Sequence, residues 1–144
     1  MERFYCTDAI PVSTFICEYY LGFRGLERAE SVPLDRVSEL LLNQHIDLAV
    51  NIHSFSECRI DAIDWWLSLV ARANIPFLMI VPNANEANEF GASLVTRNVV
   101  DIATLAVRRG FRLVVKEPKY RERTVQRYAV NPTYYYLFER APMN

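Results

Sequence analysis

The chain has 144 residues, of which 51% are hydrophobic and 23% charged, and its formal net charge is -1. That balance suits one hydrophobic core and excludes a disordered tract and a strongly charged scaffold, so no global field draws the chain to nucleic acid or to an anionic membrane. No apolar run is long enough to span a bilayer, and no basic start leads into an apolar core, so neither a membrane segment nor a secretory leader is expected.

Cys6, Cys17 and Cys58 are odd in number, scattered and without metal-ligand spacing, the usage of free thiols in a cytoplasmic protein. Gly is scarce at four residues, and none forms a Gly-x-Gly pattern. A nucleotide-binding strand–turn–helix unit needs such a loop to bring backbone amides against its ligand.

Arg3 to Thr7 reads as a short strand that ends at Asp8. Pro11 and Ser13-Thr14 open a helix through about Leu21, with Phe15, Ile16, Tyr19 and Tyr20 at helical spacing and Gly22 and Gly25 as stops. Ala29 to Pro33 reads as a brief edge strand. Asp35 then starts a helix that turns Val37, Leu40 and Leu41 to the sheet and closes at Asn43-Gln44-His45. Asp8 has two open readings: a turn residue, or an acidic strand tip of the kind that hydrogen-bonds a ribose diol in α/β folds.

Leu48-Ala49-Val50 is a continuous apolar run, the pattern of a central strand covered on both faces. It discharges Asn51, His53, Ser54, Ser56 and Glu57 at its carboxyl end, where open α/β sheets bind ligands. The alternative for Asn51, Ser54 and Ser56 is capping of the next helix. That helix spans about Arg59 to Ala73, with Ile60, Ile63, Leu67 and Val70 on one stripe. Asp61 and Asp64 read as a solvated face favoured by the helix dipole.

Pro76 to Val81 is a second buried strand, and Asn83 to Asn88 reads as a mobile polar loop. Asn98 is placed to cap a helix reaching Arg109, with Ile102, Leu105 and Ala106 inward and Gly110 as its stop. Phe111 to Val115, extensible through Lys116-Glu117, and Thr133 to Phe138 are strands that pair antiparallel if adjacent, since no long crossover joins them. Between Arg108 and Arg127 eight basic residues interleave with Tyr120 and Tyr128, but they straddle a helix end, a strand and a loop and are offset by Glu117 and Glu122. No nucleic-acid partner is expected from them.

The runs Asp47-Leu-Ala-Val-Asn-Ile-His-Ser-Phe-Ser-Glu57, Phe77-Leu-Met-Ile-Val-Pro-Asn83 and Gly110-Phe-Arg-Leu-Val-Val-Lys-Glu-Pro-Lys-Tyr120 resemble a family of sugar O-methyltransferases. Val125-Gln-Arg-Tyr128 and Asn131 to Glu139 extend the likeness over nearly the whole chain. The family belongs to the class I S-adenosylmethionine-dependent methyltransferases. The resemblance implies an α/β fold: an incomplete, Rossmann-like three-layer sandwich over residues 1–144, mostly parallel, with a C-terminal antiparallel strand pair. It implies S-adenosylmethionine as cofactor, with Asp8 on the ribose, Leu34 and Asp35 lining the adenine pocket, and the Asn51 to Glu57 segment facing the methyl group and a sugar acceptor. Within that segment His53 is placed as the base, Asn51 and Glu57 as orienting groups, and Ser54 and Phe55 beside the substrate; no metal is implied.

The chain departs from the pattern by matching from the family's second strand onward, without the first strand and its Gly-rich loop. That strand lies mid-sheet in the family, so two interior edges are expected to pair directly, to recruit a second copy or another polypeptide, or to remain aggregation-prone. A fragment, a split gene product and a decayed relative all fit. The competing function is a non-catalytic half domain that binds a partner polypeptide.

Overall fold

The computed structural model describes residues 3–141, which fall into two compact units divided between Gln44 and His45. In the N-terminal unit, β1 (Phe4–Thr7) and β2 (Ala29–Val32) pair in parallel from Phe4↔Ala29 to Thr7↔Val32. Parallel strands need a crossover, supplied here by helix α1 (Pro11–Phe23). α1 starts at Pro11, where a proline at the first helical position loses only an N–H that has no partner there anyway. Gly22 lies within α1 rather than stopping it, and the left-handed turn falls at Gly25, with φ 61°.

α1 buries none of its residues: its polar Thr14 side lies on β2, where Ser31 Oγ donates to the Thr14 carbonyl at 3.0 Å, while Phe15, Ile16, Tyr19 and Tyr20 are exposed. β2 leads into α2 (Leu34–Asn43), in which Val37 is buried while Leu40 and Leu41 are half-buried. Among the described residues no disulfide joins Cys6, Cys17 or Cys58. Burial, and secondarily Cys17, pushes the Cys6 thiol up to about 11.

The C-terminal unit is built on a four-stranded sheet in the order β3-β4-β6-β5. Its strands are β3 (Leu48–Ile52), β4 (Phe77–Val81), β5 (Phe111–Pro118) and β6 (Tyr134–Arg140). β3 and β4 are parallel, with Leu48 opposite Phe77 and Ile52 opposite Val81. β6 is antiparallel to both β4 and β5 and inserts between them, although the segment joining β5 to β6, expected to hold no helix, contains a short one.

After β3 come a single turn of helix, α3 (Ser54–Glu57), and then α4 (Ile60–Arg72). α5 (Ile102–Arg108) precedes β5, and the polar segment before β6 contains a short helix, α6 (Arg123–Tyr128). The core is formed by Ile63 and Leu67 of α4, Ile102 and Ala106 of α5, and Leu78, Ile80, Phe111 and Phe138 of the sheet. Among the described residues no helix is long and apolar enough to cross a membrane.

Two expectations are corrected. β3 is not covered on both faces: it is the edge strand of its sheet, and Leu48, Val50 and Ile52 on one face are 41%, 41% and 59% exposed. The cap of α5 is Asp101, whose Oδ1 accepts from the Ala103 and Thr104 amides at 2.8 and 3.2 Å. Asn98 is spent in a tight turn closed by the Thr96 amide on the Val100 carbonyl, with Val99 at φ 59°.

Candidate functional site

The sheet of the C-terminal unit positions one polar turn with care. The His53 amide donates to the Val81 carbonyl at 2.7 Å, extending the β3–β4 ladder by one residue. At that point the backbone of His53 takes φ 68° and ψ -37°, a conformation that side-chain-bearing residues adopt only under local constraint. The chain reverses there, and the His53 carbonyl accepts from the Ser56 amide at 3.0 Å.

Asn51 locks this reversal from the strand side. Its Oδ1 accepts from the Phe55 amide at 3.0 Å, and its Nδ2 donates to Ser54 Oγ at 2.6 Å. Asn51 and Ser54 thus close the turn into α3 rather than cap α4, whose N-cap is Arg59, and among the described residues one Nδ2 hydrogen has no acceptor. Phe55 points into the core, 7% exposed. Ser56 is buried, its Oγ accepting from the Asn83 amide at 3.0 Å and its carbonyl from the Arg97 amide at 2.7 Å.

Glu57 is half-exposed at the rim. Its Oε1 accepts from Asn83 Nδ2 at 2.8 Å, and its Oε2 lies 3.7 Å from Arg97 Nη1. Both carboxylate oxygens are thus engaged, whereas the half-buried imidazole of His53 makes no hydrogen bond to any described residue. Of the two candidate proton acceptors, His53 is the one left open to a ligand.

The segment expected to be a mobile loop supports this rim as an ordered turn. Asn85 and Asn88 form a reciprocal capping pair at the start of a 3₁₀ segment (Glu86–Gly91), each side chain accepting from the other's amide at 3.1 and 3.0 Å. Asn88 is buried; its Oδ1 also accepts from the Gly91 amide at 2.9 Å, and its Nδ2 donates to the Asn83 carbonyl.

Behind the turn, the buried Thr133 donates from Oγ1 to the Pro82 carbonyl at 2.7 Å. The Tyr136 hydroxyl is shared between the Gly91 and Ala92 carbonyls at 3.0 and 2.6 Å. Burial, then Tyr134 and Glu89, pushes Tyr136 up to about 12, which keeps that hydroxyl a donor. Asn83, Asn88 and Arg97 were not singled out from sequence. The only signal was the three-residue spacing of Asn85 and Asn88, which is the spacing of a capping pair.

Asp8, Leu34 and Asp35 belong to the N-terminal unit. β1 and β2 are parallel and in register, so Asp8 and Leu34-Asp35 sit at the same carboxyl edge of their sheet. Asp8 Oδ1 accepts from the Ile10 amide at 2.8 Å, the turn reading, while Oδ2 has no bond to a described residue. Leu34 and Asp35 are exposed in the first turn of α2. Among the described residues, no three of His, Cys, Asp and Glu come together as a metal would require.

No family model matches the chain, and no curated protein matches it. Solved structures do. The mitomycin 7-O-methyltransferase MmcR is similar over 96% of this chain and 42% of its own, with a TM-score of 0.63 and 18% identity. The [4+2]-cyclase SpnF is similar over 99% of this chain and 68% of its own, with a TM-score of 0.60 and 13% identity. TYW2 of M. jannaschii, solved in complex with AdoMet, is similar over 96% and 58%, with a TM-score of 0.54 and 13% identity. The chain thus spans less than half of the first of these proteins. Its fold is the Rossmann-like α/β fold of S-adenosylmethionine-dependent methyltransferases, and the cyclase among the matches shows that this fold alone does not fix a reaction.

Proposed function

We propose that the chain serves S-adenosylmethionine-dependent methyl transfer to a sugar hydroxyl, with His53 receiving the hydroxyl proton. The observation that carries this reading is the unengaged imidazole at the carboxyl end of β3, in a turn whose other polar groups are already bonded, within a methyltransferase fold. In the N-terminal unit, the free Oδ2 of Asp8 suits a ribose diol, and Leu34 and Asp35 at the same sheet edge suit an adenine. The sequence offers no Gly-rich run of amides for the methionine portion. When bound, S-adenosylmethionine supplies an electrophilic methyl group.

An alcohol is a weak nucleophile until its proton is drawn away, and a positioned imidazole nitrogen does that as the new C–O bond forms. Glu57, fixed by Asn83 and Arg97, and the remaining Nδ2 hydrogen of Asn51 orient neighbouring sugar hydroxyls. Ser54 and Phe55 shape the floor of the turn.

The test is transfer of labelled methyl to a panel of sugars and nucleotide sugars. His53→Ala is expected to lower kcat by about 10²–10⁴-fold with little change in cofactor affinity. An unchanged rate removes His53 as the base.

A second reading, a non-catalytic module that binds another polypeptide or a second copy through a strand edge, is favoured by the unpaired edge of β3 and its exposed Leu48, Val50 and Ile52. Absence of transfer to every acceptor, together with a stable complex made through β3, would select it.

A further inference from the structure

At the opposite end of β4 from the candidate site, roughly 17 Å away along a five-residue strand, the C-terminal unit has a second concavity. It is a shallow, solvent-open depression of about 370 Å³ lined by Ser68, Arg72, Arg108, Arg109, Gly110 and Arg140. We propose that this cavity binds a phosphate-type dianion, free or carried on a small molecule.

The four arginines arrive from three separate elements: Arg72 from the last turn of α4, Arg108 and Arg109 from the end of α5, and Arg140 from the end of β6. Arg109 is neutralised by a two-pronged pair with Asp64 in which Nε donates to Oδ1 at 2.7 Å, and the same carboxylate attracts Arg108 more weakly. Among the described residues Arg72, Arg108 and Arg140 have no ion-pair partner. Arg140 is the most telling of them. Its Nη1 is buried with no hydrogen-bond partner among the described residues, while its guanidinium carbon lies 5.9 Å from the centre of the Phe111 ring, which holds the side chain in place. A buried guanidinium donor left unmet is costly, and this one belongs to a residue on the rim of the depression.

The competing explanation, that these arginines only complement helix C-termini, is weakened by the backbone. The closing carbonyls of α4 are taken by the amides of Ala73, Asn74 and Ile75, and those of α5 by Arg109 and Gly110. The two helix ends add only about half a negative charge each. Four guanidiniums facing one carboxylate therefore leave the cavity positive. Donors converging from three directions suit a tetrahedral oxyanion, whereas a planar carboxylate is satisfied by one fork, as Asp64 is by Arg109. The volume lies within the range of small-molecule sites.

The experiment is calorimetric titration of the full chain with inorganic phosphate, pyrophosphate and glucose 6-phosphate, at ionic strength held constant with sodium chloride. Saturable binding of any of the three is expected, and the sugar phosphate against inorganic phosphate tells an attached phosphoryl group from a free anion. Arg140→Gln should abolish saturation. The double variant Arg72→Ser/Arg108→Ser, altered only at exposed helix-end positions and so expected to fold, should weaken binding at least tenfold. Binding no stronger than the chloride background, or equal in the folded double variant, overturns the proposal.

Discussion

Gly91 is where the supporting turn behind the candidate site is least tolerant. It has φ 83°, and a Cβ built there would lie 2.4 Å from Thr133 Oγ1 and 3.2 Å from both Thr133 Cα and Cβ. Gly91→Ala therefore carries two costs. The left-handed backbone costs an L side chain about 1–2 kcal/mol. The contact must also displace the Thr133 hydroxyl from its 2.7 Å bond to the Pro82 carbonyl. Leaving that buried pair unmade costs about 1–3 kcal/mol. The sum, about 2–5 kcal/mol, corresponds to a fall in Tm of about 5–15 °C for a chain of this size.

Thermal melts followed by far-ultraviolet circular dichroism measure it. The double variant Gly91→Ala/Thr133→Ala separates the causes: if the clash contributes, the two changes cost less together than the sum of the singles by about 1 kcal/mol. A Tm within about a degree of the parent for Gly91→Ala, or strict additivity, would refute the packing described behind Pro82.

Two further outcomes are expected from single side chains. Asp101→Ala removes the cap of α5 and should cost about 1 kcal/mol, read as a Tm lower by about 2–4 °C; Asn98→Ala, at a position that does not cap, should leave Tm in place. The hydrogen bond from Arg109 holds the Asp64 carboxyl below its ordinary value. Its stabilisation is present above the unfolded carboxylate pKa and is lost as pH falls through the lower folded value. Asp64→Asn should therefore reduce stability at neutral pH and flatten the acid limb of denaturation below about pH 4, and an acid limb identical to the parent's would show the pair to be without effect.

What could be read from sequence was what depends on neighbours along the chain. The stripe Ile63, Leu67 and Val70 fixed the buried face of α4, although Ile60 of the same stripe is exposed; the short apolar runs located β3 and β4, and β5 and β6 are antiparallel as expected even though α6 lies between them. The turn after β3 was visible as a polar cluster because its constraints are local: Asn51 reaches only three and four residues ahead. What was hidden depends on distant partners. Leu48 and Val50 look like core residues by type, yet they lie on an edge strand with one face open. Asp64 looked solvated, but its partner Arg109 stands 45 residues away. Asn83 to Asn88 looked mobile because polar composition signals a loop, whereas Asn88 is buried by bonds to Asn83, Asn85 and Gly91.

The claim that this fold serves methyl transfer meets its most direct test in a calorimetric titration of the chain with S-adenosylhomocysteine. Saturable one-to-one heat, weakened by Asp8→Ala and untouched by His53→Ala, is the expected result. No heat at millimolar ligand would contradict cofactor binding by these residues and with it the proposed reaction.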